Sequence, residues 1–332
     1  MKTFFKIFSI AFLCFLILFS GIVWSFNRFM RDDHAGTGLI AKAIEWEEEQ
    51  EQEENLEPEE TDLLKSLVND SSRVNILVLG LEGARSDTMM FFSFNPVSKK
   101  VDGISIPRDT YYHREGYDRL DARKINAAYG SHGANGAKAV VSDLLLDIPV
   151  DYYVTVTYKG VVSIIDSLGG VPINIPQPMK YTDYADDPPL IIDFEKGHHL
   201  LDGEDAVRFL RFRKGYVDGD LGRIRAQQDF VKAAIKKALG FRLPAVATTA
   251  LRYVRTDMGL QDVTRYATSA IGLNLADVNM TVLPGQDKYR NGASFYFQDI
   301  QATKDLLIEI YSEGKSLEAL IVGEEEKNQN ND

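Results

Sequence analysis

The chain has 332 residues, with 37 Lys plus Arg against 49 Asp plus Glu, a formal charge of −12, and 45% apolar residues. That is globular composition, long enough for one large domain or two ordinary ones, and it excludes a disordered or collagen-like chain. A single cysteine, Cys14, excludes an internal disulfide and a Cys-based zinc site, and five scattered His argue against a transition-metal centre.

Residues 7–26 carry no charge and are flanked by Lys2 and Lys6 before and by Arg28 and Arg31 after. Such a run is long enough to span a bilayer as a helix. It is longer than a signal-peptide core, and Ser20, Gly21 and Ser25 make no Ala-x-Ala-like cleavage site, so the expectation is an uncleaved single-pass anchor. A short cytoplasmic N-terminus and an extracytoplasmic body at the cell membrane follow. The expected division is 1–31 for the tip and transmembrane signal anchor, 32–72 for a juxtamembrane spacer, 73–312 for the folded domain and 313–332 for a polar tail.

Within the spacer, Glu45 to Asp62 holds ten Glu, one Asp and no Lys or Arg, so the remainder of the chain is close to neutral. An acidic chain is a poor binder of phosphate by bulk attraction. Here the acidity belongs to one short, solvated, Glu/Gln-rich segment and says little about the body.

The body opens with VNILVL (74–79), a continuous apolar run ending at Gly80, which reads as a buried strand. Residues 88–94 read as a second strand closed by Asn95-Pro96, and 101–106 as a third stopped by Pro107. A helix is expected over 136–146, a strand over 151–157, a helix over 159–168 and a strand over 171–175. Helices follow over 203–209 and 223–239, the second with an apolar stripe of Ile224, Phe230, Val231, Ile235 and Leu239. Helices at 264–272 and 300–311 and a strand at 280–283 complete the reading. This alternation predicts an α/β fold, a layered α-β-α domain with a central mixed β-sheet.

Three segments put charge where the pattern turns. LEGARSDT (81–88) supplies Glu82, Arg85 and Asp87 just after a buried strand, where α/β sheets place ligand sites. Two carboxylates on one such loop suit a hard cation such as Mg²⁺; a polar hairpin with a local ion pair is the competing reading. SIPRDT (105–110) puts Arg108 and Asp109 at another strand end, as a site or as a surface salt bridge. Between Val207 and Gln228 stand Arg208, Arg211, Arg213, Lys214, Arg223 and Arg225, beside the apolar Phe209, Leu210 and Phe212. In an extended segment Arg211 and Arg213 share one face, and guanidiniums so gathered call for an anion between them, with bidentate phosphate recognition the natural use.

Taken in series, VLGLEGARSDTMM (78–90), SFNPVSKKVDGISIPRDTYY (93–112), KINAAYG (124–130), DYYVTVTYKGVVSIIDSLGGVPINIP (151–176), LDGEDAVRFLRFRKG (201–215) and GDLGRIRAQQDF (219–230) resemble the LytR-CpsA-Psr family of bacterial envelope proteins. LPGQ (283–286) and FYFQD (295–299) continue the likeness. The resemblance implies a membrane-anchored, Mg²⁺-dependent phosphotransferase of cell wall biogenesis. Such an enzyme moves a glycopolymer, such as teichoic acid or capsule, from a polyprenyl pyrophosphate carrier to a peptidoglycan acceptor. It also implies the older label of transcriptional attenuator. By this likeness Asp87 is a metal-ligand position, with Glu82 as the second carboxylate, and Arg85, Arg108, Arg211, Arg213, Arg223 and Gln227 fall on pyrophosphate-binding positions. Asp87, Arg108 and Asp109 are the catalytic candidates, with either Asp87 or Asp109 taking the hydroxyl proton. Glu82 stands where many members have Asp, and Ala226 replaces an Arg that often precedes the paired Gln. A lipid pyrophosphatase and a non-catalytic polyprenyl-phosphate binder are the alternatives. With no helix-turn-helix bearing a basic face, no nucleic-acid partner is expected.

Overall fold

The computed structural model describes residues 58–83, 85–186, 188–216, 219–239 and 243–313. The chain divides into two compact units, Met1–Glu60 and Thr61–Asp332, and the account concerns the second. The expected anchor, most of the acidic spacer and residues 314–332 of the tail lie outside the described residues. Among the described residues no helix is long and apolar enough to cross a membrane.

Helix α1 (Pro58–Asn69) leads into β1 (Val74–Glu82), β2 (Arg85–Phe94) and β3 (Val101–Ile106). Leu63 and Leu64 are buried, so the packed body takes in part of the expected spacer. Next come α2 (Ala127–Leu144), β4 (Tyr152–Thr157), α3 (Tyr158–Ser167), β5 (Val171–Ile175), β6 (Met179–Asp183), β7 (Leu190–Phe194) and β8 (Gly197–Leu201). The chain continues through α4 (Gly203–Arg211), α5 (Gly219–Leu239), α6 (Leu243–Ala250), β9 (Val254–Thr256), α7 (Leu260–Ser269), β10 (Val278–Val282), β11 (Gly285–Arg290), β12 (Ala293–Gln298) and α8 (Ile300–Ser312).

The central sheet has the order β10-β3-β2-β1-β4-β9. β1 pairs antiparallel with β2 and parallel with β4, while β3 pairs antiparallel with β2 and parallel with β10. The sheet is therefore mixed and the domain layered α/β, as the alternation of elements predicts. Because β1, β3, β4 and β10 run the same way, their C-terminal ends share one edge, which also receives the start of β2. That edge carries the candidate functional site.

Strand alternation sends Leu77, Leu79, Met89, Phe91 and Ile104 to one face, where they pack with Ala137 and Val141 of α2 and Leu307 of α8. A second core lies in the helices and hairpins of the other side, joining Ile165 of α3, Val171, Ile192, Phe209, Phe212 and Phe230. The strand expected over 171–175 belongs here, in an antiparallel pair with β8, and not to the central sheet. The helix expected from 136 begins at Ala127, because Gly133, at φ +65°, joins an earlier turn to it through a kink.

Candidate functional site

β1 and β2 meet in a hairpin whose register slips between Gly80 and Leu81: Gly80 faces Thr88, Leu81 faces Ser86, and Asp87 has no partner. Asp87 is thus the extra residue of a β-bulge, the device that re-aims a side chain at a strand end. Gly80 permits it, since a Cβ there would meet the Thr88 Cβ at 3.0 Å. The Asp87 carboxylate accepts from Arg108 Nη1 at 2.8 Å and lies within hydrogen-bonding reach of Glu82. That shared hydrogen bond, followed by burial, raises the Glu82 carboxyl to about 7. Burial pushes Asp87 up as well, but the bonds from Glu82 and Arg108 outweigh it and hold this carboxyl below its ordinary value.

The arginines arrive on two helices. Asp202 caps α4 by accepting from Asp205 N at 2.9 Å, and Asp166 accepts from Gly203 N at 2.8 Å. Gly203 is required there, because a Cβ would lie 2.4 Å from the Val162 carbonyl oxygen of α3. At the other end of α4, Phe212 turns extended and is 1% exposed. Arg211 is the last helical residue and Arg213 follows the buried phenylalanine, so the two flank an anchored ring without forming the fully extended trio expected from RFR. Arg211 Nη1 lies 2.7 Å from Asp186 Oδ2, Nη2 lies 3.3 Å from Glu82 Oε1, and the guanidinium sits over Tyr158 at 5.1 Å. Burial first, and the negative Glu82 second, push the Tyr158 hydroxyl up to about 12.

On α5 the positions Asp220, Arg223, Gln227, Phe230 and Val231 follow helical spacing and line one cavity. The stripe grades from charged through amide to apolar. Arg223, 5% exposed, has Nη2 3.0 Å from Asp220, while Arg213 Nε is 3.7 Å from the same carboxylate. Gln227 Nε2 donates to the Leu210 carbonyl at 3.3 Å. The Nε atoms of Arg108 and Arg223 are buried without a hydrogen-bond partner, two donors that an anionic ligand would satisfy.

The cavity is large, about 1020 Å³. Its charged end holds Glu82, Asp87, Arg108, Arg211, Arg213, Asp220 and Arg223; away from these it is lined by Val78, Met90, Val154, Ile164, Leu251 and Val263 among others. Of the residues expected from sequence, it gathers Glu82, Asp87, Arg108, Arg211, Arg213, Arg223 and Gln227. Two stand outside its lining. Arg85 sits half-exposed on the hairpin with Nη2 3.1 Å from Asp121, and Asp109 pairs with Lys124 at 3.2 Å and with Arg108 Nε at 3.9 Å. Tyr158, Asp186 and Asp220 escaped the sequence reading. Asp220 was findable, three residues before Arg223 on one helix; Tyr158 follows a strand end, and Asp186 carries no local signal.

Four arginines, of which Arg223 is the most buried, thus gather at the mouth of a chamber whose far walls are apolar. The LytR_cpsA_psr family model matches residues 38–310, and the chain belongs to that family. A TagU protein of Bacillus mycoides (strain KBAB4), a polyisoprenyl-teichoic acid–peptidoglycan teichoic acid transferase, is 35% identical over 179 residues, 52% of this chain and 55% of the relative. The TagU of Bacillus subtilis (strain 168) is 31% identical over 175 residues, 51% of this chain and 54% of its own. The chain thus spans about half the length of the curated relatives it matches. The crystal structure of B. subtilis TagV superposes with a TM-score of 0.62 at 26% identity, covering 74% of this chain and 97% of TagV.

Proposed function

We propose that the protein is a phosphotransferase of cell wall assembly that moves a glycopolymer of the teichoic-acid kind from a polyprenyl pyrophosphate carrier to peptidoglycan. The observation that carries this reading is the junction of two environments in one cavity. Four arginines and a glutamine face the same space as a long apolar wall, which suits a pyrophosphate with a prenyl tail and no water-soluble nucleotide. The names of the TagU relatives point the same way.

Arg108, Arg211, Arg213 and Arg223 each pair with an internal carboxylate, so phosphate oxygens enter by exchange for Asp87, Asp186 and Asp220. Guanidiniums fixed in this way neutralise charge that develops on the transferred and leaving phosphates, the main lever in phosphoryl transfer. The acceptor's proton passes to Asp87 or Asp109, the two carboxylates in contact with Arg108.

Mg²⁺ fits the donor set. Glu82 and Asp87 supply two adjacent carboxylates, and among the described residues no group of three or more His, Cys, Asp or Glu gathers to hold a metal. Two carboxylates with water and substrate phosphate completing the shell is how Mg²⁺ is usually held. When bound it supplies positive charge to the phosphate oxygens. The uncharged run at residues 7–26 supports an anchored, extracytoplasmic enzyme.

The test is incubation of the purified chain with a polyprenyl-pyrophosphate saccharide, Mg²⁺ and peptidoglycan oligomers, read by mass spectrometry. A ligated glycan that disappears with Arg211→Ala or Asp87→Ala is expected. Full transfer by both variants, or phosphate release that needs no acceptor, overturns the reading, the latter in favour of a lipid pyrophosphatase.

A further inference from the structure

The charged mouth has two flanks along the edge of the sheet. On one flank the cavity runs beneath β4 and β9 between Val154, Val156 and Val254. On the other, beyond Arg108, the chain passes through Asp109 to Tyr111 and meets the β11–β12 arm. The arm is fixed there through the backbone, with Tyr296 N donating to Asp109 O at 3.0 Å and Tyr111 N donating to Tyr296 O at 2.8 Å. Its two faces differ. Lys288 and Arg290 lie over the Phe297 ring at 5.7 and 5.8 Å, and Arg290 also over Tyr111 at 5.6 Å, which holds that face down.

The register puts Asp287 and Tyr289 on the opposite face, with Ser294 across from Tyr289. Tyr289 is 77% exposed, an aromatic ring that serves no core. Asp287 lies close enough to the mouth to feel Asp220 and Asp109: burial first, then these two negative charges, push its carboxyl up. About 6.8 Å of strand separates Asp287 from Tyr289, so both can touch one saccharide.

Resting on the function proposed above, the reaction requires a second approach to the phosphate. A new P–O bond forms to the acceptor hydroxyl while the P–O bond to the lipid phosphate breaks. The electron pair leaves on the lipid phosphate, and the hydroxyl proton passes to a carboxylate. Attacking and leaving oxygens lie roughly in line. With the prenyl tail seated in the apolar flank, the acceptor arrives from the other one.

We propose that the face of the β11–β12 arm bearing Asp287, Tyr289 and Ser294 is the acceptor subsite, holding a saccharide with a ring against Tyr289 and hydroxyls on Asp287. Sugars present apolar C–H faces edged with hydroxyls, and an exposed tyrosine beside a carboxylate and a serine matches both.

The test uses the full chain and two probes measured separately by calorimetry: a soluble peptidoglycan glycan fragment without donor, and geranylgeranyl pyrophosphate. Tyr289→Ala is expected to weaken fragment binding about tenfold, Tyr289→Trp to preserve it, and Asp287→Asn to weaken it severalfold. Geranylgeranyl pyrophosphate binding stays unchanged in all three. Unchanged fragment binding in Tyr289→Ala and Asp287→Asn, absence of fragment binding by the wild type, or loss of both probes together overturns the subsite. A wild type that binds the fragment but no prenyl pyrophosphate leaves the saccharide site standing and removes the proposed function instead.

Discussion

On one face of the central sheet Leu77, Leu79, Met89 and Phe91 are packed against helices, each at most 2% exposed. On the other, Val78, Met90, Val154 and Val156 look into the cavity. Both sets are apolar and both draw on β1 and β2; what differs is the next layer. Where α2 and α8 close down, apolar area leaves water during folding and contributes roughly 25 cal/mol per Å² to stability. Where α3, α5, α6 and α7 stand off, the proposed function defers the corresponding gain until a prenyl tail fills the space. One face stores stability and, under that proposal, the other stores affinity.

The sharpest way to break that comparison is at the charged rim. Arg223→Ala should lower transfer about a thousandfold, as removal of a charge-stabilising donor does, while the circular dichroism spectrum and prenyl-tail contacts remain. Intact transfer would make the rim ornamental. Leu79→Ala on the packed face should cost about 2–5 kcal/mol in urea unfolding. Val78→Ala, one residue away on the cavity face, should cost under about 1 kcal/mol of stability. It should weaken geranylgeranyl pyrophosphate about tenfold, through two lost carbons at ~0.8 kcal/mol each, and leave inorganic pyrophosphate binding unchanged. Equal destabilisation by Leu79→Ala and Val78→Ala in the same urea series would erase the distinction between the faces. Smallest of these, Asp202→Ala should remove about 1 kcal/mol through the α4 cap, read as a shift of the urea midpoint with the slope unchanged.

The distinction between faces was not legible in the sequence. VNILVL announces a strand apolar on both sides, but periodicity cannot tell a packed side from one that lines a chamber. The central strands and long helices were readable because their patterns are regular. The strands outside the central sheet were not, β5 apart: β11 reads GQDKYR and has no buried residue, so neither alternation nor an apolar run marks it. The site was legible where charge interrupted apolar pattern, at Glu82, Asp87, Arg108 and the arginines of α4 and α5. It was illegible where a partner came from a distant loop, as Asp186 does for Arg211.

The bulge at Asp87 has a consequence for how such a protein can change over generations. Since Asp87 is the one residue of β2 without a partner between Ser86 and Thr88, its excision would leave Leu81 opposite Ser86 and Gly80 opposite Thr88, a seamless ladder. Under the proposed function, a single-codon deletion would therefore silence the site and spare the scaffold. The length of the hairpin alone would then tell a chain that keeps the carboxylate from one that has lost it.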